Sequence, residues 1–174
     1  RLQGLVEGLL ALASLESGQG AQREPGALHR AAREVCEEYR ARARAAGIEL
    51  ALDLRADEAA ATDLVQSRRL LQNLIDNALA HAAGATRILI ATEGGEKGVL
   101  LRVTDDGAGV APVDLPRLFD RFYRTDKSRR AGGSGLGLSI VRQVAELHGG
   151  SAAAEPAQPK GLRVTVTFPT TPVA

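Results

Sequence analysis

The chain has no methionine and no tryptophan, one cysteine, and aromatic residues at only 3% of its length. Each shortage excludes something. A lone Cys36 cannot close a disulfide within the chain or supply a paired-thiolate metal site. It falls beside Val35 and Tyr39 on an apolar helical face and is expected to be a buried structural thiol, compatible with a reducing, cytoplasmic setting. With so few aromatics, the core has to be built from Leu, Val, Ile and Ala. No apolar run approaches the roughly 18 residues that a membrane span needs, and no signal peptide is legible. A net charge of +1 gives no reason to expect a nucleic-acid or membrane surface. Lys97, Lys127 and Lys160 are the only lysines, an arginine bias that suggests a high-GC bacterial source. The missing initiator and a helical pattern already running at Arg1 suggest a piece of a larger protein.

What is present is ordinary for a soluble domain: 174 residues, 44% hydrophobic and 25% charged. Residues 1–17 place Leu2, Leu5, Leu9 and Leu12 three, four and three apart. This is the seam of a bundle or coiled coil, or an amphipathic helix on its own domain; two heptads do not decide. "SGQG" and Pro25-Gly26 put a boundary near residue 20. A second helix is predicted over 27–46, ending at Gly47, with Leu28, Ala32, Val35, Tyr39 and Ala43 on one face. "IELALDL" (48–54) alternates as a strand, 55–62 is expected to hold another short strand, and 64–83 reads as a long helix. Strands at 87–93 and 99–105 flank a "GGEKG" hairpin turn. A helix at 136–148 is capped by Gly149-Gly150, and "SAAAE" and "LRVTVTF" form a closing pair of strands. Helices alternating with paired strands predict a two-layer α/β domain with a sheet covered on one face.

Three segments carry candidate chemistry. In "LLQNLIDNALAHA", Asn73 and Asn77 are four apart and share one helix face. Asn is a poor helix former, and its amide oxygen is a hard ligand suited to Mg²⁺; a purely structural pair bonding neighbouring backbone is the alternative. In "VTDDGAGV", Asp105 closes an apolar strand before Gly107 and Gly109. A carboxylate there can accept from the exocyclic amino group of adenine, although Asp-Asp-Gly is also common turn chemistry. In "GGSGLGLSI", Gly132, Gly133, Gly135 and Gly137 feed a helix N-terminus, whose unpaired N–H groups and dipole favour an anion. A flexible hinge is the plainer alternative.

Their order is more telling than any one of them. Together they resemble the ATP-binding catalytic domain of bacterial sensor histidine kinases, within the GHKL ATPase and kinase group. "NLIDNA" looks like the N box, "DDGAGV" the first glycine box, "LFDRFYR" the F box, and "GSGLGLSI" the second glycine box. "GLRVTVTFP" is similar to the final strand, and "RLQGLVEGLLALASLESG" to the end of the dimerisation helix. The resemblance implies a mixed, largely antiparallel sheet covered by three helices on one face, with residues 1–20 the end of the dimerisation domain and 21–174 the catalytic domain. It implies ATP and Mg²⁺ as ligands. Asn77 would be the principal metal ligand with Asn73 in support, and Asp105 would bind adenine in a pocket shaped by Gly107 and Gly109. Gly133, Ser134, Gly135, Leu136 and Gly137 would form the phosphate-facing hinge of a lid, Phe119 and Phe122 would anchor it, and Arg124 and Arg129 would reach the γ-phosphate.

One position departs from the family pattern. Where Lys or Arg often follows the second Asn by three residues, this chain has Ala80 and then His81. Either His81, Arg124 and Arg129 compensate, or the domain is a docking module with little transfer. Asn73 stands where related hydrolases, and typically the anti-sigma serine kinases, carry a Glu general base. An amide cannot take that proton, so transfer to an outside histidine is expected rather than hydrolysis. His29, His81 and His148 do not fit the acceptor pattern: His29 reads as solvated helix surface and His148 as helix-end packing. The acceptor is therefore expected upstream of Arg1. The implied partners are the chain's own dimerisation domain, a response-regulator receiver domain and a second copy in a homodimeric parent, with no nucleic acid.

Overall fold

A computed structural model describes residues 22–55, 60–125 and 134–170. The expected N-terminal helix over 1–17 lies outside them. Helix α1 spans Ala27–Ala45 and buries Leu28, Ala31, Ala32, Val35, Cys36 and Ala43. That arc is wider than one stripe because α1 packs against both the sheet and a second helix. Gly47, in the left-handed region, ends it. The Cys36 thiol is buried and pushed up to about 11, chiefly by that burial.

Helix α2 spans Leu64–His81 and buries Leu70, Leu71, Leu74, Ile75 and Ala78. Its N-cap is Asp63, whose side chain accepts from the Gln66 N–H at 2.9 Å, satisfying a donor the helix cannot. Helix α3, Gly137–Leu147, buries Leu138, Ile140, Val141, Val144 and Ala145. Loss of one fully buried leucine such as Leu71 from this layer costs about 2–5 kcal/mol.

Two short strands, β1 (Arg23–Glu24) and β3 (Thr62–Asp63), pair antiparallel. The main sheet has the order β2-β4-β5-β7-β6, formed by Glu49–Leu54, Arg87–Gly95, Gly98–Asp105, Leu162–Phe168 and Ser151–Pro156. β2 runs parallel to β4 across the α2 crossover, and every other pairing in this sheet is antiparallel. Alternation sends Ile88 and Ile90, Val99, Leu101 and Val103, and Val164, Val166 and Phe168 into the helix layer. The expected two-layer architecture, a mixed and mostly antiparallel sheet under three helices, is what the described residues form.

The differences are local. Of the span 55–62, where a short strand was expected, residues 56–59 lie outside the described residues and Thr62 begins β3, whose partner β1 was not expected. The hairpin strands run on to Gly95 and Gly98, which shortens the turn to Glu96-Lys97. His29 is not solvated: it is 7% exposed, and its Nε2 lies 2.9 Å from the Thr92 hydroxyl on β4. Its position next to Leu28 carries it into the cleft between α1 and the sheet. His148 does pack at its helix end and is 2% exposed.

Candidate functional site

The site lies where the end of α2, the end of β5 and the start of α3 meet. Asn73, Asn77 and His81 succeed one another at four-residue spacing along α2, so their side chains rise from one face. Asn73 donates through Nδ2 to the Arg69 carbonyl at 2.8 Å. Its amide is thereby oriented, and Oδ1 is turned toward α3: a Cβ added at Gly137 would sit 3.2 Å from that oxygen. The Asn-bearing helix and the glycine-rich helix start are thus in direct apposition. Asn77, one turn on, is partly exposed.

His81 is exposed at the end of α2, and its imidazole is held below the ordinary range. The crowding of protein around the ring is the larger cause, and the Arg124 guanidinium the second. Arg124 therefore lies within electrostatic reach of the end of α2 that carries His81. Ala80 is exposed beside it.

Asp105 is the last residue of β5 and is 7% exposed. Burial raises its carboxyl above the usual range, while the N–H groups of Gly107 and Leu162 pull it back. The Gly107 bond, to Oδ1, is 2.9 Å long. Gly107 has to be glycine: a Cβ there would lie 2.9 Å from the backbone of Ala82, the C-cap of α2. The Ala108 N–H also donates to the Ala83 carbonyl at 3.1 Å. The carboxylate loop and the Asn helix are therefore packed backbone to backbone. Gly109 follows in the left-handed region.

Asp106, the neighbour of the predicted Asp105, anchors this loop. Its carboxylate accepts from the Thr86 N–H at 2.8 Å, the Thr86 hydroxyl at 2.6 Å and the Arg87 N–H at 2.9 Å. These bonds, that of the Thr86 side chain first, lower its pKa to about 2. In the sequence Asp106 reads only as turn chemistry. The available signal was an Asp directly before Gly, which reads the same way in any polar turn.

Phe119 is buried at 6% exposure and belongs to the core. Phe122 is 54% exposed, and its N–H donates to the Gly135 carbonyl at 2.9 Å. Phe122 is also the one non-glycine residue with positive φ among the described residues, at 65°. Such a conformation costs energy and is held by its surroundings. The Ser134 hydroxyl accepts from the Leu136 N–H at 3.3 Å, and Leu136 is 1% exposed. The N-cap of helix α3, Leu136, makes no side-chain cap bond, and the helix start, whose first N–H groups have no partner within the helix, faces Asn73. Arg129, Gly132 and Gly133 lie outside the described residues. Around Phe122 and Arg124, a surface groove of about 500 Å³ is lined also by Arg117, Asp120, Arg121 and Tyr123.

Comparison with known proteins gives the family and the fold. A family model described as histidine kinase-, DNA gyrase B- and HSP90-like ATPase matches residues 62–172. The sensor histidine kinase RppB of Synechocystis sp. is 36% identical over 173 residues, 97% of this chain and 38% of the relative. The sensor histidine kinase WalK of Bacillus subtilis is 36% identical over 105 residues, 58% of this chain and 17% of the relative. This chain therefore spans well under half the length of these curated relatives. Among solved structures, full-length ShkA in complex with AMPPNP superposes with a TM-score of 0.78 at 29% identity, covering 99% of this chain and 37% of that one. The catalytic domain of the histidine kinase ThkA gives 0.70 at 26% identity, covering 83% of this chain and 94% of that one.

Proposed function

The chain belongs to the family of histidine kinase-, DNA gyrase B- and HSP90-like ATPases, and from that premise we propose that it binds Mg²⁺-ATP and donates the γ-phosphate to a histidine outside these 174 residues. The observation that carries this reading is the apposition of Asn73 with Gly137 beside the buried Asp105. Metal-favouring amides and an anion-favouring helix start face each other, and the loop that follows an acceptor for an amino group packs on the end of the same Asn-bearing helix. The parent is a sensor kinase of a two-component system, which passes the phosphate on to a response-regulator aspartate. Residues 1–20 are the end of its dimerisation helix, and the parent works as a homodimer in the cytoplasm.

Asp105 accepts from the adenine amino group, and Gly107 and Gly109 keep that pocket free of side chains. The Asn77 amide oxygen, with Asn73 Oδ1 beside it, suits a hard cation that keeps several waters and shares phosphate oxygens. Among the described residues no group of three His, Cys, Asp or Glu could hold a metal ion, and an amide-and-phosphate site needs none. When bound, the cation neutralises developing charge on the phosphate oxygens. Arg124, within electrostatic reach of the end of α2, supplies fixed donors to the same oxygens, which offsets the lack of a basic residue at Ala80. Asn73 cannot accept a proton, and it spends its N–H on Arg69. An attacking water finds no base there, so transfer to the histidine is favoured over hydrolysis.

Titration calorimetry of the chain with ATP and with GTP tests the pocket. The reading predicts ATP binding that needs Asp105 and a marked preference over GTP, whose ring presents an oxygen where adenine has its amino group. Equal affinity for both nucleotides, or ATP affinity unchanged in Asp105→Ala, would contradict it.

A further inference from the structure

His148 lies outside this site, at the end of α3, and nothing in the proposed chemistry uses it. Both of its ring nitrogens are nonetheless committed. Nδ1 lies 2.7 Å from the Val144 carbonyl oxygen, and Nε2 lies 3.0 Å from the backbone nitrogen of Asp63. A carbonyl only accepts and a backbone N–H only donates. The ring is therefore the neutral tautomer with its proton on Nδ1. The Phe168 ring stands at 87° to it with centroids 5.5 Å apart.

Asp63 is itself a junction. It is the N-cap of α2, accepting from the Gln66 N–H through Oδ1 and from the Gln22 N–H through Oδ2, each at 2.9 Å. Across from it in register is Arg23 of β1, which donates to the Leu147 carbonyl at 2.6 Å. The imidazole thus joins the cap of the Asn-bearing helix to the end of the helix whose start faces Asn73, and Arg23 ties the neighbouring strand β1 to the same helix end.

We propose that His148 is a proton-sensitive positioning residue: its neutral ring pins β3 and the cap of α2 to the end of α3, and its protonation releases them. A proton on Nε2 would face the Asp63 N–H donor to donor, and that bond would be lost. Two charged groups act on the ring from the strands around it. Arg23 on β1 repels the imidazolium, and Asp63 on β3 attracts it. From its own helix the Val144 carbonyl accepts in either state, and β7 brings the Phe168 ring. Burial is the largest influence and holds the imidazole below its ordinary 6.5; the Val144 bond opposes it, Arg23 adds to it, and Asp63 opposes it. A released ring takes up its proton at the ordinary value, before the docked ring does. Docking is therefore intact above 6.5 and weakens as pH falls below it.

The test is hydrogen exchange of the backbone amides of the whole chain by NMR, with no nucleotide, so that it stands apart from the reading of the ATP site. After correction for intrinsic rates, protection of the Asp63 amide should fall about tenfold between about pH 7 and about pH 5.5, while central-sheet amides such as Ile90 hold. The ring nitrogen shifts of His148 should report the Nδ1–H tautomer at the upper pH. In His148→Gln, which keeps an acceptor but cannot titrate, the pH dependence should vanish. In Arg23→Ala the midpoint of the His148 titration should rise. Constant Asp63 protection in the unmodified chain would overturn the proposal, as would a pH dependence that survives in His148→Gln. Should His148→Gln fail to fold, Arg23→Ala decides: a raised midpoint supports the proposal, and an unmoved one refutes it.

Discussion

The Phe122 N–H donates to the Gly135 carbonyl at 2.9 Å, and both residues sit in the left-handed region, at φ 65° and 72°. A Cβ at Gly135 would lie 2.9 Å from the Phe122 backbone. The strain at Phe122 is sustained because Gly135 leaves room for it. Gly135→Ala should therefore cost about 1–3 kcal/mol of stability, read as a lowered denaturant midpoint, and should weaken ATP binding with it. Gly135→Ala binding ATP as tightly as the unmodified chain would remove this segment from the site.

Asn73→Asp replaces one atom. It sets a carboxylate oxygen where Nδ2 now donates to the Arg69 carbonyl at 2.8 Å. Two acceptors then face each other, and the expected loss is about 1–3 kcal/mol of stability. The loss should shrink as pH falls and the carboxyl gains a proton to donate. A variant of unchanged denaturant midpoint at neutral pH would mean that the amide is not held as described.

Asp105→Ala should weaken ATP binding by about 10- to 100-fold, the worth of one hydrogen bond to a charged group. The pH dependence has a definite sign. The carboxyl is raised by burial, and its protonated form loses an acceptor position. ATP affinity should decline as pH falls, and the decline should start at a higher pH than an ordinary carboxyl at 3.8 would give. Affinity titrated against pH checks this, and Asp105→Ala should abolish that component.

Asp106 predicts a separable effect on folding. Its carboxyl is lowered from 3.8 to about 2 by Thr86 and Arg87. Its contribution is complete above 3.8 and disappears as pH falls through about 2. Because the group is partly exposed, about 1–2 kcal/mol is expected for Asp106→Ala at neutral pH, with the difference closing in acid. Denaturation of both proteins across that range measures it.

Long periodic elements were legible in the sequence because their spacing is imposed by burial on one side. The runs "VLLRVTD" and "LRVTVTF" and the helical spacing of Leu28, Ala32, Val35 and Ala43 mark strands and a core face that the structure buries. The Asn pair stood out because two amides set among leucines need a reason, and Asp105 only through its place in the order of motifs, since Asp-Asp-Gly by itself reads as a turn. What the sequence hid was set by tertiary packing. Two-residue strands such as β1 and β3 have no period to detect. His29 looked like helix surface because the reading allowed α1 one apolar stripe where it has two packed sides. Asp106 stood in the shadow of Asp105. The positive φ of Phe122 is a backbone conformation that no residue type announces.

The central claim is that this domain passes phosphate to a histidine on a separate segment. The direct measurement incubates the chain with Mg²⁺, γ-labelled ATP and the upstream acceptor segment of the parent protein, with Asp105→Ala alongside. The account predicts acid-labile label on a histidine of the acceptor, no stable label on this chain alone, and loss of transfer in the variant. Tight ATP binding with no label on the acceptor, or steady release of free phosphate in its place, would contradict it.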